Sequence, residues 1–254
     1  FMGVGSFTSY NLSIAEFLFS ADWAPSDSAE GGGSVGAAIF IFGSVITCAL
    51  ALAIATPFSL ATAIFMTEIS PELGKRFVQP AVEIFVGIPS VVYGWIGLTI
   101  LVPLIKNIFN LRFGFSVLAA GIVLAVMIFP TITSLAADAL RSIPKSYRAA
   151  SYGLGATRWQ TIAKVVVPAA VTGLMTAVIL GLARAFGEAL AVAMVIGKMR
   201  AFPTSLLSPT NNLTAAIAAD MGGAMEGSEY NIALWTMALM LFIISLAGSF
   251  AIHF

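Results

Sequence analysis

Five long apolar runs, separated by short polar or charged connections, set the pattern of the chain. Residues 35–66, 113–137 and 232–252 contain no charged side chain, and residues 165–197 contain only Arg184 and Glu188. Residues 77–105 are apolar but interrupted by Pro80, Glu83, Pro89 and Pro103 and by Gly87, Gly94 and Gly97. A helix needs about 20 apolar residues to cross the hydrocarbon core of a bilayer, so every run is long enough to be a span. The run at 35–66 exceeds one crossing and predicts a tilted helix or an added interfacial turn. The run at 77–105 predicts a broken or kinked span, because proline removes a helix hydrogen bond that lipid cannot replace. The expected fold is therefore all-α, a polytopic transmembrane helical bundle of about five spans.

The connections give the orientation. Residues 68–76 and 138–164 lie on one side of such a bundle and carry Lys75, Arg76, Arg141, Lys145, Arg148, Arg158 and Lys164; the opposite connections carry Lys106, Arg112, Lys198 and Arg200. The excess of Lys and Arg faces the cytoplasm. Residues 1–34, which contain no Lys or Arg, are then an extracytoplasmic N-terminal segment, and 35–254 a transmembrane domain with a cytoplasmic loop at 138–164. Phe1 and Phe254 both look like cut ends, and a cytoplasmic native N-terminus predicts a sixth span upstream of Phe1.

Composition narrows the classes. Only 9% of the 254 residues are charged and 59% are hydrophobic, against about 25% charged in an ordinary soluble domain. The formal net charge is zero, so no basic surface argues for nucleic acid. A single cysteine, Cys48, and a single histidine, His253, cannot make a protein-only zinc site of the usual kind. The convergent His, Asp or Cys set that an integral membrane enzyme needs is missing from the spans. No cofactor and no metal is expected.

Chemistry can then sit in few places. Gly31, Gly32, Gly33 and Ser34 lack the following lysine of a phosphate loop and precede a span, so they read as a flexible connector. Glu83 lies near the cytoplasmic side and reads as snorkelling to the interface. Arg184 and Glu188 are four residues apart, which on a helix places them on one face. They form either a structural ion pair sealing a helix interface or a charged site on a solute pathway, where an arginine partly neutralised by a glutamate receives an oxyanion. Pro130 is followed by Thr131, Thr133 and Ser134, whose hydroxyls either repair the proline-broken helix or line a polar path. In the loop 138–164, Ala139, Leu140, Ile143, Tyr147, Ala150, Leu154 and Trp159 are spaced like short amphipathic helices with a turn at Gly153–Gly155. Such an element reads as a docking surface.

Residues 148–170 spell RAASYGLGATRWQTIAKVVVPAA. This resembles the cytoplasmic signature of ABC importer permeases: Glu-Ala-Ala, a glycine three residues on, then nine residues, an aliphatic, one more, and Leu-Pro. Ala149, Ala150, Ser151, Gly155, Val165, Val167 and Pro168 occupy those positions, with Ala149 in place of the motif glutamate. The segments FLFSADWAP, VEIFVGIPSVVYGWIGL, GLARAFGEALAVAMVIG and FPTSLLSP resemble phosphate-importing permeases of the PstC type over nearly the whole chain. The resemblance implies the type I ABC importer permease fold in a bacterial or archaeal plasma membrane. It further implies a transport subunit whose ATP is hydrolysed elsewhere, working with a PstA-like partner permease, PstB-like ATPase subunits and a PstS-like phosphate-binding protein. It implies a part in phosphate passage for Arg184 and Glu188, and in coupling with the ATPase for Ala149, Ala150, Ser151 and Gly155; Thr131 and Ser134 join the pathway candidates as the hydroxyls after Pro130, and Arg158 joins the coupling candidates as a basic residue of the loop able to supply contacts that the missing glutamate does not. A permease for sulfate, molybdate or another oxyanion, or a secondary transporter, are the alternatives.

Overall fold

A computed structural model describes residues 2–4, 13–26 and 32–253. Apart from one antiparallel hairpin, Trp23–Ala24 against Ser34–Val35, its regular structure is helical. That is what a chain in lipid requires, since a helix satisfies its own backbone polar groups. Among the described residues, four helical stretches are long and apolar enough to cross a membrane: Ala38–Ile69, Ser90–Ile108, Val117–Arg141 and Glu229–Ala247. The pair Arg158–Ala169 and Val171–Gly187, bent by 68°, makes a fifth when taken as one span. The third of these, Val117–Arg141, is the most buried: 67% of its most apolar window is buried in protein, against 28% for the second and last.

Two of the expected spans are interrupted. Residues 77–105 take the broken form of the two expected, rather than that of one kinked helix. Gln79–Gly87 ends at an extended Ile88, and a new helix starts at Ser90 after Pro89. Pro80 and Pro103 each follow directly on a π-helical turn, Gly74–Val78 and Gly97–Leu101, inside a helix that continues through them, a widened turn in which the proline ring and its missing N–H are accommodated, whereas Pro89 forces the residue before it out of the helical region. Glu83 is exposed on the short helix and accepts a hydrogen bond from Gln79 Nε2 at 3.0 Å. Residues 165–197 are likewise discontinuous: the chain bends at Ala170, the helix stops at Gly187, and Leu190–Val195 follows as a separate short helix.

The chain divides into two compact units, residues 1–51, 89–124 and 185–254, and residues 52–88 and 125–184. The first has a core of Phe17, Trp23, Phe40, Leu213, Leu234 and Met237, with Trp23 edge-on to Phe40 at 4.9 Å. Phe17 and Trp23, from residues 13–26, and Val35, in the hairpin, are part of this core. The hairpin is fastened by Glu229, 6% exposed, whose Oε2 accepts the Ser26 and Gly33 N–H groups at 2.8 and 2.9 Å. Gly33 is thus a fixed point and not a flexible connector; Gly31 lies outside the described residues. Ser90–Ile96 packs on Leu190–Val195 in the same unit. A side chain at Gly94 would meet Met194 Sδ at 2.7 Å and Ala191 Cα at 2.8 Å, so glycine sets the closeness of that crossing.

The second unit holds the 138–164 loop. Its first span ends in a π-helical turn, Phe65–Ile69, a widened turn that often marks functional sites. Ser59 Oγ and Thr133 Oγ1 both donate to the Phe129 carbonyl, at 3.1 and 2.8 Å, next to Pro130. Among the hydroxyls near that proline, Thr133 therefore serves the helix backbone.

Candidate functional site

Arg184 lies in the last turn of Val171–Gly187, where the helix dipole favours a cation. Its Nη1 donates to Thr131 Oγ1 at 2.6 Å, and both residues are half-buried. The reach is set one turn earlier at Gly181, where a Cβ would meet Ile132 Cδ1 at 2.7 Å; the absent side chain lets the two helices approach. Thr131 thus turns toward the arginine while Thr133 turns back into its own helix. Ser134, three residues on from Thr131 and so on the same face, is also half-buried. The result is a guanidinium steadied at one corner by a hydroxyl, with hydroxyls on the neighbouring helix, in an otherwise apolar span.

Glu188 stands outside that helix. The expectation of one helical face carrying both Arg184 and Glu188 is corrected: the helix ends at Gly187, the poorest helix former after proline. The Glu188 carboxylate accepts the Ala191 N–H at 3.2 Å, one of the open donors at the start of Leu190–Val195. The Glu188 carbonyl accepts Thr214 Oγ1 at 2.8 Å. Glu188 is therefore held at a break in the chain by its own backbone surroundings.

The loop consists of Lys145–Gly153 and Arg158–Thr161, joined by a tight turn. Gly155 has φ +79°, a left-handed conformation that an L side chain enters at a cost. Thr157 and Gln160 form a capping box on the second helix, satisfying two open N–H groups reciprocally. Ser151 Oγ and Thr161 Oγ1, both buried, share a hydrogen bond of 2.9 Å that ties the two helices together. Ala149 and Ala150 are exposed, beside Tyr147, Tyr152, Trp159 and a Leu154 that is 90% exposed. A side chain that apolar and that uncovered marks a contact surface. Of the residues assigned to coupling, Ala149, Ala150, Gly155 and Arg158 are exposed, Arg158 with its guanidinium turned onto the first span, whereas Ser151 faces inward.

Glu68, the partner of Arg148, escaped the sequence reading. Arg148 donates through Nε and Nη2 to both carboxylate oxygens of Glu68, at 3.1 and 2.5 Å. It also donates to the carbonyls of Ile143 and Leu140, at 2.8 and 3.0 Å. The hydrogen bonds to Glu68 raise the Arg148 pKa above its ordinary value, so the guanidinium stays charged. Arg158 Nη2 donates to the carbonyls of Glu68 and, at 2.8 Å, Ile69. The two arginines thereby occupy carbonyls at the ends of the first and third spans, which a helix leaves open. A cleft of about 490 Å³ lies between them, lined by Glu68, Arg141, Lys145, Arg148, Ala149 and Tyr152. The only hint of Glu68 in the sequence is its place as the first charge after a long uncharged run; its partner lies 80 residues away.

Comparison with known proteins places this geometry. The model of the family described as "Binding-protein-dependent transport system inner membrane component" matches residues 55–254. A relative named probable ABC transporter permease protein YqgH, from Bacillus subtilis, is 54% identical over 96% of this chain and 78% of its own length. The phosphate transport system permease protein PstC of Haemophilus influenzae is 37% identical over 95% of this chain and 81% of its own. A probable PstC from the archaeon Methanocaldococcus jannaschii is 33% identical over 83% and 72%. Among solved structures, an inward-facing form of the MetNI methionine ABC transporter matches with a TM-score of 0.63 and 22% identity, covering 85% of this chain and 95% of that one. At that identity the match speaks for the fold alone. With a bundle of this architecture and a family match over most of its length, the chain belongs to the inner membrane components of binding-protein-dependent transport systems, as a non-enzymatic ABC importer permease.

Proposed function

We propose that the chain is the permease subunit of an ATP-driven phosphate importer. It forms the translocation pathway with a second, PstA-like permease in a bacterial or archaeal plasma membrane. PstB-like ATPases dock on the 138–164 loop inside, and a PstS-like protein delivers inorganic phosphate from outside. What supports the substrate is the relatedness to permeases named for phosphate transport, 37% identity for the Haemophilus protein, together with the chemistry of the span. The observation that carries the reading is Arg184, a guanidinium held by Thr131 at 2.6 Å within an apolar helix.

An anion crossing such a span loses its hydration, and a guanidinium fork replaces part of it with charge-assisted hydrogen bonds. Thr131 holds one corner of the fork, and Ser134 supplies a further hydroxyl on the same helix. Glu188, fixed at the following break, contributes negative charge near the path and keeps the anion from binding too tightly. A well too deep would stop transport. Ala149, Ala150 and Gly155 meet the ATPases, with Ser151 and Arg158 holding the loop in shape behind them.

The test is uptake by an assembled Arg184→Gln complex. We expect phosphate transport to fall by about 10- to 100-fold, the scale on which loss of a charged hydrogen-bond donor acts. Undiminished uptake refutes the assignment of Arg184. Sulfate competing as well as phosphate refutes the substrate.

A further inference from the structure

We propose that Glu68 is a positioning residue for coupling: it latches the docking loop to the end of the first span, so that loop and span are displaced together when the ATPases close. This rests on the reading of the loop as the ATPase docking element.

Glu68 sits in the π-helical turn Phe65–Ile69 and is only 9% exposed, although it belongs to a connection that is otherwise polar and solvated. Its carboxylate takes a bidentate pair of bonds from Arg148, on the first helix of the loop. Its backbone carbonyl, with that of Ile69, is taken by Arg158 on the second helix. The loop's two helices are joined to each other by Ser151 and Thr161. Both helices are thus fastened to one residue of the span, and neither can shift without the other.

Burial is what makes the fastening a latch. The side chains of Glu68 and Arg148 are 8% and 20% exposed, whereas those of the nearby pair Asp138 and Arg141 are 71% and 40% exposed. An exposed pair exchanges its partner for water at little cost. A desolvated, bidentate pair does not, because separating it leaves a charge without hydration. Position 149, where the resembled motif has a glutamate, carries an alanine, and the carboxylate facing the same cleft is that of Glu68.

The experiment uses the whole transporter reconstituted in proteoliposomes, with ATP hydrolysis and phosphate uptake measured on the same preparation. Glu68→Gln keeps the shape and removes the charge. We expect hydrolysis near the wild-type rate and uptake per ATP reduced by about fivefold or more, the lower end of a usual coupling energy. An unchanged ratio overturns the proposal.

A second measurement is independent of both substrate and variant stability. Nitroxide labels at Thr67→Cys and Lys145→Cys, on either side of the cleft, report whether span and loop separate; Cys48 is buried and takes no label. Equal distances in ATP-free and vanadate-trapped complexes support the latch, and a change between the two states overturns it. Should the wild-type complex move no phosphate while the labels keep their distance, the substrate reading fails and the latch stands.

Discussion

Replacing Arg148 with methionine keeps the apolar stem and deletes the guanidinium. Four hydrogen bonds disappear, two to Glu68 and one each to the carbonyls of Leu140 and Ile143. The Glu68 carboxylate, 8% exposed, then lacks a counter-charge. Breaking a buried pair by removing one partner costs about 3–5 kcal/mol. Because Arg148 is one-fifth exposed, water reaches part of the vacated space, and we expect the low end, about 3 kcal/mol. Removing the charge on both sides with Glu68→Gln and Arg148→Met leaves two carbonyls short of a donor, worth about 1 kcal/mol each. The double variant is therefore expected to be more stable than Arg148→Met alone. Arg141→Met is the control: its exposed bond to Asp138 at 3.4 Å is worth under about 1 kcal/mol. Equilibrium unfolding by SDS in mixed micelles ranks the three variants against wild type. Equal losses for Arg148→Met and Arg141→Met, or a double variant less stable than the single, refute the reasoning.

Thr131→Val removes the hydroxyl that steadies Arg184 while preserving shape; we expect an apparent affinity for transported phosphate weaker by about tenfold, the low end for a hydrogen bond with a charged donor, with assembly unchanged by size-exclusion chromatography. Gly155→Val forces a β-branched residue to φ +79° at a cost of about 1–2 kcal/mol, and because nothing lies within 4 Å of the added carbon, the loss should appear as weaker ATPase association rather than as a packing defect. A pull-down titration with the ATPase subunit reads that difference, and unchanged affinity contradicts it.

The number and type of spans were legible in the sequence because lipid leaves the chain so few choices: a long run without charge becomes a helix. The breaks were less legible. Pro80, Pro89 and Pro103 look alike as letters, yet two are taken up by a widened turn within a continuing helix and only Pro89 marks a break. The spacing of Arg184 and Glu188 promised a shared helical face, but a spacing has meaning only while the helix continues, and it stops at Gly187. The docking loop was legible as an amphipathic pattern and a motif. What fastens it was not, because a glutamate in a polar connection looks solvated until a partner 80 residues away closes over it. Arg158, read as a contact to the ATPase because it is a basic residue of the loop, illustrates the same limit: its Nη2 is engaged by the carbonyls at the end of the first span.

The buried Glu229 also dictates an order of events during synthesis. Its partners Ser26 and Gly33 precede it by 203 and 196 residues, and the apolar neighbours of Phe17 and Trp23 include Leu234 and Met237. At about 5–20 residues per second, the ribosome needs roughly 10–40 s to make the residues between. Throughout that interval the amino-terminal aromatic residues are without the helix that covers them, and the outer core stays unfinished until the last span is inserted. A chain truncated before Glu229 should therefore accumulate as a protease-sensitive species even though its first spans are already in the membrane.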